Sequence, residues 1–105
     1  MDDYVKIWNK NRVEWLYSLA RSEKLGPAAV RVGLLFGTFL LPDKREEVHP
    51  SYEWICENAH MSRGTLAKAI KELKAAGFLL VTTYHADSSY YRMPFDGEKE
   101  WPSPK

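Results

Sequence analysis

The run Ser51-Tyr52-Glu53-Trp54-Ile55-Cys56-Glu57-Asn58-Ala59-His60-Met61-Ser62-Arg63-Gly64-Thr65-Leu66-Ala67-Lys68-Ala69-Ile70-Lys71-Glu72-Leu73-Lys74-Ala75-Ala76-Gly77 decides how the rest of the chain is read. Two serines, Ser51 and Ser62, each stand before a helix-forming stretch, where a short hydroxyl accepts a hydrogen bond from a free amide of the opening turn. The spacing predicts a short helix from about Tyr52 to Ala59, with Trp54 and Ile55 inward. A tight turn through His60 and Met61 follows, and then a second helix spans about residues 62–76 counting its cap. Within it Leu66, Ile70 and Leu73 recur at helical spacing and define a buried stripe, and Gly77 supplies the left-handed stop.

The side away from that stripe is cationic. At about 100° per residue, Gly64, Lys68, Lys71 and Ala75 oppose the stripe, Thr65 and Glu72 lie on its flanks, and Arg63 projects near the N-terminal end. Four cations, Arg63, Lys68, Lys71 and Lys74, face the single anion Glu72 in this helix, whereas the helix before it carries only Glu53 and Glu57. The whole chain of 105 residues has a formal net charge of +1, so the positive charge is local and any electrostatic argument rests on this one face.

C-terminal to Gly77, Phe78-Leu79-Leu80-Val81-Thr82-Thr83-Tyr84 is β-prone, His85-Ala86-Asp87-Ser88-Ser89 reads as a turn, and Tyr90-Tyr91-Arg92-Met93 is a second β run closed by Pro94. The expectation is a hairpin over residues 78–93. Tyr84, Tyr90 and Tyr91 suit cross-strand packing in it better than contact with a ligand. Residues 95–105, with Gly97, Pro102 and Pro104, read as a flexible tail outside a single domain of residues 1–94.

On the N-terminal side, Asp2 or Asp3 can cap a helix reaching about residue 21, with Val5, Trp8, Trp15, Leu16 and Leu19 near one face and Arg12 interrupting them. That stripe serves core packing or, as the sharper reading, a homodimer contact through the N-terminal helix. Gly26-Pro27 opens the next helix, residues 28–41, which is apolar nearly all round and so is expected to be the most buried. Gly33 and Gly37 in it offer room for a neighbouring element. Pro42 ends it, and Asp43-Lys44-Arg45-Glu46-Glu47 reads as an exposed loop before His49-Pro50.

These parts, in this order, are those of a mainly α fold with a small β-hairpin: a winged helix-turn-helix with an extra N-terminal helix. With 45% hydrophobic, 13% aromatic and 28% charged residues, the composition is that of a soluble globular domain. Cys56 is the single cysteine, which excludes an intrachain disulfide and fits a reducing cytoplasm, with the thiol as a small core residue. The acidic start is unlike a signal peptide, and the apolar run Val32 to Leu41 is too short to span a bilayer.

The segment His49-Pro50-Ser51 with Trp54-Ile55, then Met61-Ser62-Arg63-Gly64-Thr65-Leu66, Ala69-Ile70, Leu73 and Ala76-Gly77-Phe78-Leu79, resembles the helix-turn-helix family of plasmid and phage replication-initiation proteins and related bacterial regulators. The likeness covers residues 25–93. It implies a bacterial, phage or plasmid protein that binds DNA in transcription regulation or in DNA replication. Cys56-Glu57-Asn58 departs from the family, which has Leu-Ala and a small or basic residue there, and leaves the first helix of the pair more acidic.

Physical chemistry points the same way. An α-helix fits the major groove, residues near its N-terminus reach base edges, and its free amides face phosphate oxygens. Ser62, Arg63, Gly64, Thr65 and Lys68 hold those positions, with Arg63 suited to bidentate contact with guanine. Lys68, Lys71 and Lys74 suit phosphates, unless they are simply a solvated face. At the wing tip His85, Ser88 and Ser89 suit the DNA backbone or the minor groove, with Arg92 as support. Cys56 and His60 are too few for a zinc site, and no phosphate loop, nucleophile elbow or carboxylate pair is present. The expectation is therefore a non-enzyme with no metal and no cofactor. The competing reading is a winged helix that docks another protein.

Overall fold

A computed structural model describes the backbone of residues 2–40, 47–85 and 88–95, and their side chains except at 2, 39, 40, 47, 83–85 and 88. In chain order the elements are helices α1 (Asp2–Arg21) and α2 (Pro27–Leu35), a π-helical turn (Phe36–Leu40), β1 (Glu47–Val48), α3 (Tyr52–Ala59), α4 (Arg63–Ala75), β2 (Leu80–His85) and β3 (Ser88–Arg92). The protein is mainly helical with an antiparallel hairpin, arranged as a helix-turn-helix followed by a wing and preceded by extra helices.

The buried face of α1 is Trp8, Asn11, Trp15 and Leu19, spaced by three or four residues. Its tryptophans are core residues of their own chain, while Val5, expected among them, is exposed. α1 lies against α2 because the two glycines have no side chain: a β-carbon at Gly33 would meet Leu19 Cδ1 at 2.6 Å, and one at Gly37 would meet Leu16 Cδ2 at 2.5 Å. Arg12, which interrupts the stripe, donates from Nη1 to the Gly37 carbonyl at 2.8 Å.

The continuous helix expected over 28–41 is instead two pieces. Regular helix ends at Leu35 and the chain widens into the π turn, where Arg12 takes up the Gly37 carbonyl and Thr38 Oγ1 donates to the Leu34 carbonyl at 2.6 Å. α2 is also less buried than its composition suggests. Ala29, Val32 and Gly33 face inward, but Arg31 is exposed and Leu34 is 41% exposed.

The sheet has three strands in the order β1-β3-β2, all antiparallel, where the sequence suggested a hairpin alone. β1 is two residues long, too short for alternation to register, and it ends the expected exposed loop at Glu47 with Val48 buried opposite Tyr91. The rest of that loop, 43–46, lies outside the described residues. The expected five-residue wing turn is shorter: strand pairing continues to His85↔Ser88 across a register shift between Thr83 and His85. The extra residue of a bulge lets β-prone chain remain paired while it twists.

Phe78 and Leu79, expected to begin the strand, are core residues instead. Gly77 has φ +82°, the Phe78 N–H donates to the Leu73 carbonyl at 2.8 Å, and the Gly77 N–H donates to the Lys74 carbonyl at 3.1 Å. This is the Schellman closure, with its usual apolar contact supplied by buried Leu73 and Phe78. Trp15 then clasps the wing root: its Nε1 donates to the Phe78 carbonyl at 3.1 Å, and the two rings lie 5.9 Å apart. Phe95, assigned from sequence to the tail, is 9% exposed and packs on Trp8 with ring centroids 4.9 Å apart. The domain therefore reaches at least to Phe95, because an apolar ring here completes the tryptophan cluster. Residues 96–105 lie outside the described residues. Cys56 is a free, half-buried thiol.

Candidate nucleic-acid interface

Two helices begin side by side, and each is built by its serine. Ser51 has extended backbone, and its side chain accepts from the Trp54 N–H at 3.1 Å. Ser62 has extended backbone too; its Oγ accepts from the Thr65 N–H at 3.2 Å and donates to Thr65 Oγ1 at 3.0 Å. Between them the chain reverses at His60, a non-glycine residue at φ 56° and ψ 55°, with the Met61 N–H closing on the Cys56 carbonyl at 3.1 Å. A non-glycine residue in the left-handed region is uncommon, and here it lets the chain pass from α3 to the Ser62 cap of α4 through His60 and Met61 alone. Arg31 of α2 reinforces that corner, donating from Nη1 to the Ala59 carbonyl at 3.2 Å.

Leu66, Ile70 and Leu73 are buried as the stripe predicts, and Ala69 joins them. All the proposed contact residues on this helix are exposed: Ser62, Arg63, Gly64, Thr65, Lys68, Lys71 and Lys74. A β-carbon at Gly64 would meet nothing within 4 Å, so the start of α4 is a low, open surface. Thr65 is not wholly available to a ligand, because its hydroxyl belongs to the Ser62 cap. Lys74 sits in the last turn of α4, where its charge also suits the negative end of the helix dipole. The helix's one anion turns to internal use: Glu72 Oε1 accepts the Gly26 N–H at 2.8 Å, just ahead of α2.

The wing residues do not all join this face. Register places Arg92 opposite Leu80 and next to Glu47, at the end of the hairpin remote from the turn. It is exposed but lies at the wing root, since strand pairing separates it from the His85↔Ser88 pair at the other end of the hairpin. The side chains of His85, Ser88 and Tyr84 lie outside the described residues, and Ser89 is half-buried. Tyr91 is buried against Phe36 of the π turn, with ring centroids 5.1 Å apart, so its ring packs into the core and not only across the hairpin as expected. Burial, with Tyr52 adding to it, pushes the Tyr91 phenol up from 10.0 to about 12, partly countered by a hydrogen bond with Ser89.

Sequence reasoning missed Tyr52. The Arg63 guanidinium carbon lies 5.4 Å from the centroid of the Tyr52 ring, within cation–π range. It also missed His49, exposed and tilted against Tyr90 with ring centroids 4.9 Å apart. No short-range rule pairs these positions; the only hint is that Tyr52 and Arg63 each follow a capping serine.

Among the described residues no group of three or more His, Cys, Asp or Glu is placed to hold a metal ion. Among them, too, no helix is long and apolar enough to cross a membrane. The chain matches no family model, and no curated protein matches it.

Proposed function

We propose that this protein binds double-stranded DNA sequence-specifically, inserting the start of α4 into the major groove and laying the β2–β3 wing beside it. The observation that carries the reading is the exposed cationic face of α4, with Arg63, Lys68 and Lys71 all open to solvent. In this reading Arg63 contacts guanine, Lys68, Lys71 and Lys74 neutralise phosphates, and the low surface at Gly64 permits close approach. The role is that of a transcriptional regulator or a replication-origin-binding protein in the cytoplasm of a bacterium, encoded by the cell or by a phage or plasmid. Two copies act on a two-fold related site. With Trp8, Trp15 and Leu19 used in the protein's own core, the side of α1 left for a second copy is the one carrying Val13, 42% exposed, and Tyr17, 64% exposed.

The test combines selection of duplexes from a random pool with a salt titration of the winner. Each phosphate neutralised should contribute about 0.9 to the slope of log affinity against log salt. Replacing Arg63 and Lys68 together by alanine should abolish discrimination between duplexes. The thermal transition should barely move, because exposed substitutions of this kind change stability by about 0.5 kcal/mol or less. Unchanged duplex affinity in that variant refutes the proposal.

A second reading, docking to another protein without DNA binding, is favoured by the exposed Val13 and Tyr17, one helical turn apart on α1. Duplex affinity that is absent, or that does not fall with salt, selects it.

A further inference from the structure

We infer that Tyr52 is a specificity-determining positioning residue, whose ring holds the Arg63 guanidinium in place to read a base and ties that arginine to the core. The inference rests on the DNA-binding reading above and adds a residue to it, one on the neighbouring helix.

The geometry runs from the core outward. Tyr91 lies in β3, the central strand, paired with Val48 on one side and Val81 on the other, and its ring is buried. The half-buried Tyr52 ring packs against the core cluster to which Tyr91 belongs. Above that ring stands Arg63, whose guanidinium carbon is 5.4 Å from its centroid while the residue as a whole is exposed. Tyr52 is the first residue of α3 and Arg63 the first of α4, so both backbones are set by serine caps and the corner at His60. The platform is therefore anchored at every level beneath the arginine.

The chemistry matters for recognition. An aromatic ring attracts a guanidinium through its face, whereas the N–H donors that engage guanine O6 and N7 point from its edge. A ring that attracts the guanidinium in this way restrains the arginine side chain through its π-face and not through a hydrogen bond. A free arginine must surrender several rotatable bonds on binding, and one already held surrenders less. Lysine has no planar face and no fork, so it cannot substitute for arginine in this arrangement.

The guanine concerned is defined operationally as the base pair at which Arg63→Ala loses discrimination in the selected duplex. The quantity read is the ratio of Kd for the duplex altered there to Kd for the selected duplex. Tyr52→Leu should lower that ratio about two- to fivefold, the size of an exposed cation–π contact, and leave affinity for unrelated duplex and the salt slope unchanged. Tyr52→Phe, which keeps the ring, should keep the ratio. Arg63→Lys should lose it with no change to the half-buried ring, which covers the case in which Tyr52→Leu does not fold. In an Arg63→Ala background Tyr52→Leu should cause no further loss. A readout independent of DNA is the ring-current displacement of the Arg63 side-chain protons, expected in the wild type and Tyr52→Phe and lost in Tyr52→Leu. An unchanged ratio in Tyr52→Leu overturns the inference while the DNA-binding reading stands. So does an equal loss for related and unrelated duplexes, an additive loss without Arg63, or retained discrimination in Arg63→Lys. A wild-type protein that binds no duplex overturns both.

Discussion

Alanine at Gly33 and alanine at Gly64 are the same chemical change with opposite expected signs. On α2, the added methyl at Gly33 would lie 2.6 and 2.7 Å from the two δ-carbons of Leu19 and 3.1 Å from its Cγ. Leu19 is itself fully buried on α1, so it has little room to turn aside. Carbon atoms rest about 3.5 to 4.0 Å apart, so roughly 1 Å must be absorbed by Leu19 or by lifting α1. Overpacking of this kind costs about 1 to 3 kcal/mol. Replacing glycine inside a helix recovers about 1 kcal/mol, which offsets only the lower end of that range, and the net expectation is a loss of about 1 kcal/mol. Gly64 has helical backbone and no neighbour within 4 Å, so there the gain, about 0.4 to 1 kcal/mol, stands unopposed. A domain of this size shifts its midpoint by about 4 to 8 °C per kcal/mol. Melts followed by far-UV circular dichroism should therefore put the variants on opposite sides of the wild type, separated by roughly 5 to 15 °C. If Gly33→Ala is stabilised as much as Gly64→Ala, α1 does not seat on α2 as described. The Gly64 methyl also lies on the face proposed to approach DNA, so that variant should gain stability and lose duplex affinity.

Ser62→Ala removes the acceptor of the Thr65 amide and should lower stability by about 1 kcal/mol in urea unfolding, with Ser62→Gly less severe. Trp15→Phe deletes the donor to the buried Phe78 carbonyl and should cost at least about 1 to 3 kcal/mol by the same assay; a change within error would mean that the clasp on the wing root is idle. The Tyr91 phenol is neutral in the fold with its pKa raised from 10.0 to about 12, so the native state keeps a proton that the unfolded chain releases first. Stability from this group is thus complete below about pH 10 and is lost as pH rises towards 12, and Tyr91→Phe should flatten that alkaline fall.

What the chain states locally, it states well. The Ser51 and Ser62 caps, the Leu66, Ile70 and Leu73 stripe, the Gly77 stop and the cationic side of α4 each depend on residues within one or two helical turns, so periodicity and capping rules reach them. The smallness of Gly33 and Gly37 also pointed to a close approach, although not to which element makes it. Other features depend on partners far apart in the chain, and only the tertiary structure decides them. Arg12 finds the Gly37 carbonyl, Glu72 the Gly26 amide and Trp15 the Phe78 carbonyl once α1 has come to rest on α2 and α4 has packed beneath it. The two-residue β1 exists only because β3 offers it a paired edge, and Phe95 is core only because Trp8 and Trp15 are there to receive it. The placing of Arg63 over Tyr52 is of this second kind: each residue opens its own helix, and their meeting follows from the turn at His60 that joins them.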